Sequence, residues 1–221
     1  MLDRVAVEVR SPIPWPRRQD HVKGGRRDGP SALPRLFKHQ AKLRIIGSWR
    51  LLIVNTTVLS AINEQINSEF EASYRYLAMA GFCERQKFMG AAKWLRLQSE
   101  EERQHGLKLF DFVLARDGAV DLKAIDQPSA SFDSLAAVFE QALVHEQRVT
   151  VEINTLYELC FKEKSFAEMA ELQWFLTEQV EEEKVAREIV AKFRLVKNDP
   201  AAILDIDREL GARTTITGPA R

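Results

Sequence analysis

Glu102 and His105 stand three residues apart in the stretch SEEERQH, residues 99–105. On a helix that spacing puts a carboxylate and an imidazole on the same face, and the apolar residues around them make it the inward face. A buried carboxylate is costly unless something compensates it. Three more glutamates raise the same question. Steps of three and four along the sequence give Ile62, Ile66, Glu69, Ser73 and Tyr76; Ala142, Glu146 and Val149; and Phe175, Gln179, Glu182 and Ala186. Each glutamate lies on an apolar stripe, roughly a third to a half of the way along its segment. In an antiparallel bundle the four reach a common level. Four carboxylates and one imidazole there would repel one another and be poorly solvated, and cations are the economical remedy. Two divalent ions balance four glutamates. Oxygen ligands with a single imidazole suit iron or manganese better than copper or structural zinc. On this reading Glu102 bridges two metals and His105 is a terminal ligand.

The elements that must hold these side chains follow from the apolar period. From Leu59 onward apolar residues recur at three and four, among strong helix formers. Four long helices are expected at 60–87, 89–117, 133–162 and 166–195, with a short fifth near 200–210. Ser131 and Asp133 are expected to open the third helix and Ser165 the fourth. Asp199-Pro200 opens the fifth, and Gly211 ends it. Very short links make the first and second helices, and the third and fourth, antiparallel hairpins. The link DGAVDLKAIDQPSAS is long enough to run the length of a bundle. The expected fold is therefore all-α: a ferritin-like four-helix bundle with one long crossover and a short fifth C-terminal helix.

Taken singly these signals are weak. A lone Glu-x-x-His is more often a surface pair than a metal site, and Glu181-Glu182-Glu183 alone reads as a solvated acidic run. The joint pattern, one inward glutamate per helix at matching heights, is what favours metal over a plain bundle.

The 221 residues are 45% hydrophobic and 29% charged, and the net charge of zero conceals an imbalance. Residues 1–58 carry twelve Lys+Arg against four Asp+Glu and five of the eight prolines, so the segment is +8 and the rest −8. Such a segment buries little apolar surface and reads as a disordered basic N-terminal extension. Three accounts of it stay open: an arm that binds nucleic acid or another anionic surface, a targeting segment, or sequence upstream of a working start near Val58 or Leu59. The last is preferred, and nucleic-acid binding is the weakest. The helical domain is expected over 59–211, and residues 212–221 as a flexible tail. Cys83 and Cys160 do not make a disulfide framework. No apolar run is long enough to span a membrane, no secretory leader is recognisable, and a cytoplasmic location is expected.

Residues 59–210 resemble the bacterial non-haem ferritins. The resemblance is carried by INEQINSEFEASYRYL, GAAKWLRLQSEEERQH, LFDFVL, HEQRV, LQWFLTEQVEEEK and DREL, in that order and spacing. It implies a shell of 24 identical subunits that oxidises Fe(II) with O₂ or H₂O₂ and stores a ferric oxide mineral, with two irons per chain at a ferroxidase centre. By the same resemblance Glu69, Glu102 and His105 match the first iron site, and Glu102, Glu146 and Glu182 the second, with Gln179 close by. Glu101, Glu178, Glu181 and Glu182 match a possible third site. Tyr76 matches a tyrosine that supplies an electron during oxygen reduction, with Trp174 nearby; for both aromatics core packing is the alternative.

Departures from related families narrow the reading. Haem-containing bacterioferritins have a second Glu-x-x-His on the fourth helix, where Val185 stands three after Glu182. Their haem-ligating methionine follows the second-helix glutamate, where this chain has Arg103. No haem is expected. Two rival readings stay open: a shell or iron-binding subunit without oxidation activity, and another di-metal bundle oxidoreductase such as a peroxidase. The missing second Glu-x-x-His and the lack of rubredoxin-like cysteines count against the second rival.

Overall fold

The computed structural model describes residues 55–214. Residues 1–54 of the segment read as an N-terminal extension, and 215–221 of the tail, lie outside the described residues. Five helices follow in chain order: α1 (Thr56–Arg85), α2 (Met89–Ala115), α3 (Leu135–Lys162), α4 (Phe166–Val196) and α5 (Pro200–Gly211). No strand occurs among the described residues. None of their helices is long and apolar enough to cross a membrane.

The first helix starts earlier than the apolar period suggests. Asn55 caps it, its side chain accepting from Thr57 N at 2.9 Å. The third starts later. Phe132 packs edge-on against Phe82, with ring centroids 5.1 Å apart, and the helical turn begins only beyond it. The cap is Ser134, whose hydroxyl accepts from Ala137 N at 3.1 Å, and not Ser131 or Asp133. Ser165 occupies the cap position of α4 without a side-chain bond. Asp199 and Pro200 open α5 as their types require, and Gly211 is its last helical residue.

α1 and α2 form one hairpin and α3 and α4 the other. Their turns pass through left-handed Lys87 (φ 70°) and Lys164 (φ 55°). The crossover between the hairpins is tied to α1 by two asparagines four apart. Asn63 donates to Ala119 O and accepts from Asp121 N, and Asn67 donates to Asp121 O and accepts from Lys123 N, all at 2.8–3.0 Å. Farther along, Arg85 donates to Ala130 O at 2.7 Å. At 1.5 Å rise per residue, the stretch from Asn63 to Arg85 is about 33 Å long. The crossover thus runs along most of α1.

Buried apolar side chains form two clusters. One contains Tyr76, Met79, Leu95, Phe139, Ile189 and Phe193; the other contains Ile62, Ile66, Leu109, Val149, Ile153, Leu172 and Phe175. On every long helix the sequence passes from one cluster to the other across a short polar interval. These intervals hold Glu69, Glu102 with His105, Glu146, and Gln179 with Glu182. The common level expected from the spacing is thus a polar layer between two apolar blocks.

α5 packs against the start of α2 and supplies what that helix lacks. Phe88, at the N-cap of α2, offers no side-chain acceptor, and Asp207 of α5 accepts from Ala91 N at 2.8 Å instead. The approach demands a glycine: a Cβ on Gly90 would lie 1.7 Å from the carbonyl oxygen of Asp207.

Candidate metal centre

The polar layer brings Glu69, Glu102 and His105 together. One ligand atom from each lies within 4.8 Å of the others, and all three residues are buried. His105 Nδ1 is 3.4 Å from Glu102 Oε2. Two atoms of this group, Glu69 Oε2 and His105 Nε2, are buried without a hydrogen-bond partner. Orphaned buried groups of this kind are rare; His145 Nε2, outside this group, is another among the described residues. A carboxylate oxygen and an imidazole nitrogen are both donors that a divalent first-row metal accepts.

Glu146 and Glu182 complete the layer from the other hairpin, each 8% exposed or less. Glutamines hold the carboxylates. Gln65 donates to Glu69 Oε1 at 2.8 Å, and Gln98 donates to Glu102 Oε1 at 3.2 Å and to Glu182 Oε2 at 2.9 Å. Gln179 donates to the side chain and the carbonyl of Glu146, both at 2.9 Å. A neutral amide orients a carboxylate without taking the place of a cation. Tyr76 adds a hydroxyl donated to Glu146 Oε1. Trp174 packs edge-on against His105, with ring centroids 5.2 Å apart.

Burial raises the pKa of Glu69, Glu102, Glu146 and Glu182 to about 8 each, with repulsion from neighbouring glutamates adding to it. Burial, then the charge on Glu146, also pushes the Tyr76 hydroxyl upward. Among the described residues of this layer, no Lys or Arg forms an ion pair with any of the four glutamates. The charges are left for an external cation or for protons.

The residues matched to a third iron site are arranged differently. Glu101 is fully buried and its carboxylate pairs with the guanidinium of Arg213. Glu181 is exposed and pairs with Lys184 at 3.3 Å. Glu178 is half-buried, its pKa raised by burial. Only Glu182 belongs to both sets.

Sequence reasoning missed Gln65, Gln98 and Arg213. The glutamines had a signal, since each precedes a stripe glutamate by four residues. It also missed His145, a buried imidazole edge-on to Tyr76 at 5.8 Å. Burial first, then the charges on Arg148 and Arg75, lower its pKa to about 4, so it is neutral.

The ferritin-like domain family matches residues 59–196. The bacterial non-heme ferritin of Staphylococcus aureus is 33% identical over 162 residues, which cover 73% of this chain and 98% of the relative. That of Staphylococcus saprophyticus is 36% identical over 162 residues, covering 73% and 97%. Among solved structures, an open-pore ferritin from the archaeon Archaeoglobus fulgidus superposes with a TM-score of 0.72 at 42% identity, covering 73% of this chain and 98% of its own.

Proposed function

The chain belongs to the ferritin-like family, and from that premise we propose that it stores iron, oxidising Fe(II) at the centre formed by Glu69, Glu102, His105, Glu146 and Glu182. The observation that carries the reading is the pair of orphaned atoms, Glu69 Oε2 and His105 Nε2, in a buried layer where no Lys or Arg among the described residues pairs with the four glutamates. Iron is the substrate. Glu102, between the two hairpins' carboxylates, bridges a pair of ferrous ions, with Glu69 and His105 on one side and Glu146 and Glu182 on the other. Two ferrous ions give up two electrons, enough to take dioxygen with two protons to hydrogen peroxide.

The chain's own groups suit a site that must release what it binds. Carboxylates held by amides rather than by fixed charges can turn between ligand and hydrogen-bonded positions. Tyr76, whose hydroxyl donates to Glu146 Oε1, orients that carboxylate at the centre. The ferric product then moves to the interior of a shell of identical chains, for which 24 is the expected number.

The test uses the assembled protein without oxygen, loaded with two Fe(II) per chain and then mixed with air. Near-ultraviolet absorbance follows Fe(III). Wild type is expected to oxidise iron much faster than buffer does, and Glu102→Ala to fall to the buffer rate with assembly intact by size-exclusion chromatography. A wild-type rate equal to that in buffer would leave a passive shell.

A further inference from the structure

Glu101 is fully buried, and Arg213, from the segment just past α5, reaches across to it. Three contacts seat the guanidinium. One nitrogen pairs with Glu101, another donates to Gln98 Oε1 at 2.9 Å, and the group lies over the Trp94 ring at 4.9 Å from its centroid. A planar, delocalised cation suits such a seat better than an ammonium, because it can pair and stack at once. The seat adjoins a cavity of about 470 Å³ whose lining includes Gln98, Glu178, Glu181, Glu182, Glu188 and Arg213.

The bond to Gln98 carries over to the metal centre. An amide whose oxygen accepts from Arg213 must turn its NH₂ the other way, and there it meets Glu102 and Glu182. We propose that Arg213 is a tethered counter-cation, standing at Glu101 in place of a further metal ion while it fixes Gln98 to hold Glu102 and Glu182. This deepens the reading of the centre given above and rests on it. With Arg213 seated, the buried carboxylate of Glu101 is already neutralised and the chain holds cations only in the inner layer. With Arg213 withdrawn, Glu101 with Glu178 and Glu182 becomes able to take another. The seat depends on α5, which Asp207 and the close approach at Gly90 fix to α2. The segment just past α5 therefore decides how many cations the chain binds.

The test counts Zn(II), which is redox-inert, on the assembled apo protein by calorimetric titration and by metal analysis after equilibrium dialysis. Arg213→Ala is expected to bind one more Zn(II) per chain than wild type, Arg213→Lys the wild-type number, and Arg213→Ala with Glu101→Gln to lose the gain. A gain in binding that depends on Glu101 is not what general damage to the fold produces. Equal numbers for wild type and Arg213→Ala, or a gain that survives Glu101→Gln, would overturn the proposal. Glu102→Ala separates the two readings: if it leaves the wild-type number unchanged, the inner centre itself is misassigned.

Discussion

Glu101 and Glu102 are consecutive residues of α2, 0% and 2% exposed, yet the fold treats them in opposite ways. Glu101 points to a guanidinium brought from the far end of the chain. Glu102 points into a layer of three other glutamates, with an amide and an imidazole for company. One buried charge is neutralised within the chain and the other is not. The difference teaches that burial alone does not mark a candidate metal ligand; whether a cation of the chain already pairs with the carboxylate matters as much.

The largest effect that follows is on pH dependence. Glu69, Glu102, Glu146 and Glu182 start from an ordinary value of 4.5 and reach about 8 in the fold. The folded apo chain therefore binds protons more tightly than the unfolded chain between those values. Their contribution to stability is complete below about pH 4.5 and is lost as pH climbs to about 8. Thermal midpoints of the chelator-treated protein should fall over this window. Saturating Zn(II) replaces the protons, so its stabilising shift should grow as pH rises. If the apo midpoint were flat from pH 5 to 8, Glu102 would not differ from Glu101 in the way described.

Substituting the two neighbours separately sharpens the contrast. Glu101→Leu removes the carboxylate from a guanidinium whose side chain is 18% exposed, leaving it only Gln98 and Trp94; a loss of about 1–3 kcal/mol is expected. Glu102→Leu removes a charge that its neighbouring glutamates repel, so the apo protein should be unchanged or more stable by about 1–4 kcal/mol while cation binding is lost. Denaturant titration at pH 8 with a chelator present reads both signs. Two losses of similar size would mean that both carboxylates are structural.

Much of this was legible in the sequence, for reasons that also mark where legibility stops. The helical period placed Glu69, Glu102, His105, Glu146 and Glu182 on inward stripes because a buried face must be apolar, and exceptions stand out against it. Asp199-Pro200 announced α5 because both residues suit a helix start. The third helix was opened too early because Ser131, Asp133 and Ser134 are all competent caps by type, and nothing local ranks Ser134 above the others. Arg213 was out of reach altogether. Its partner lies 112 positions away, and nothing local distinguishes an arginine that folds back from one in solvent. For the same reason the resemblance matched Glu101 to a possible third metal site, although Glu101 already pairs with Arg213.

Glu100 extends the comparison by one residue and gives its smallest expected effect. It pairs with Arg103 at 2.5 Å on the solvent side of α2, with 37% and 45% of the two side chains exposed. The run Glu100-Glu101-Glu102 thus presents three carboxylates at about 100° steps around one helix: one to water, one to Arg213, one to the polar layer. An exposed pair three apart contributes little, since water and salt screen it and two long side chains must be held still. Glu100→Ala should change stability by less than about 0.5 kcal/mol and leave Zn(II) stoichiometry and Fe(II) oxidation as in wild type. A loss of cation binding from that substitution would mean that proximity in sequence, and not the direction each carboxylate faces, governs the site. The comparison between Glu101 and Glu102 would then have no physical basis.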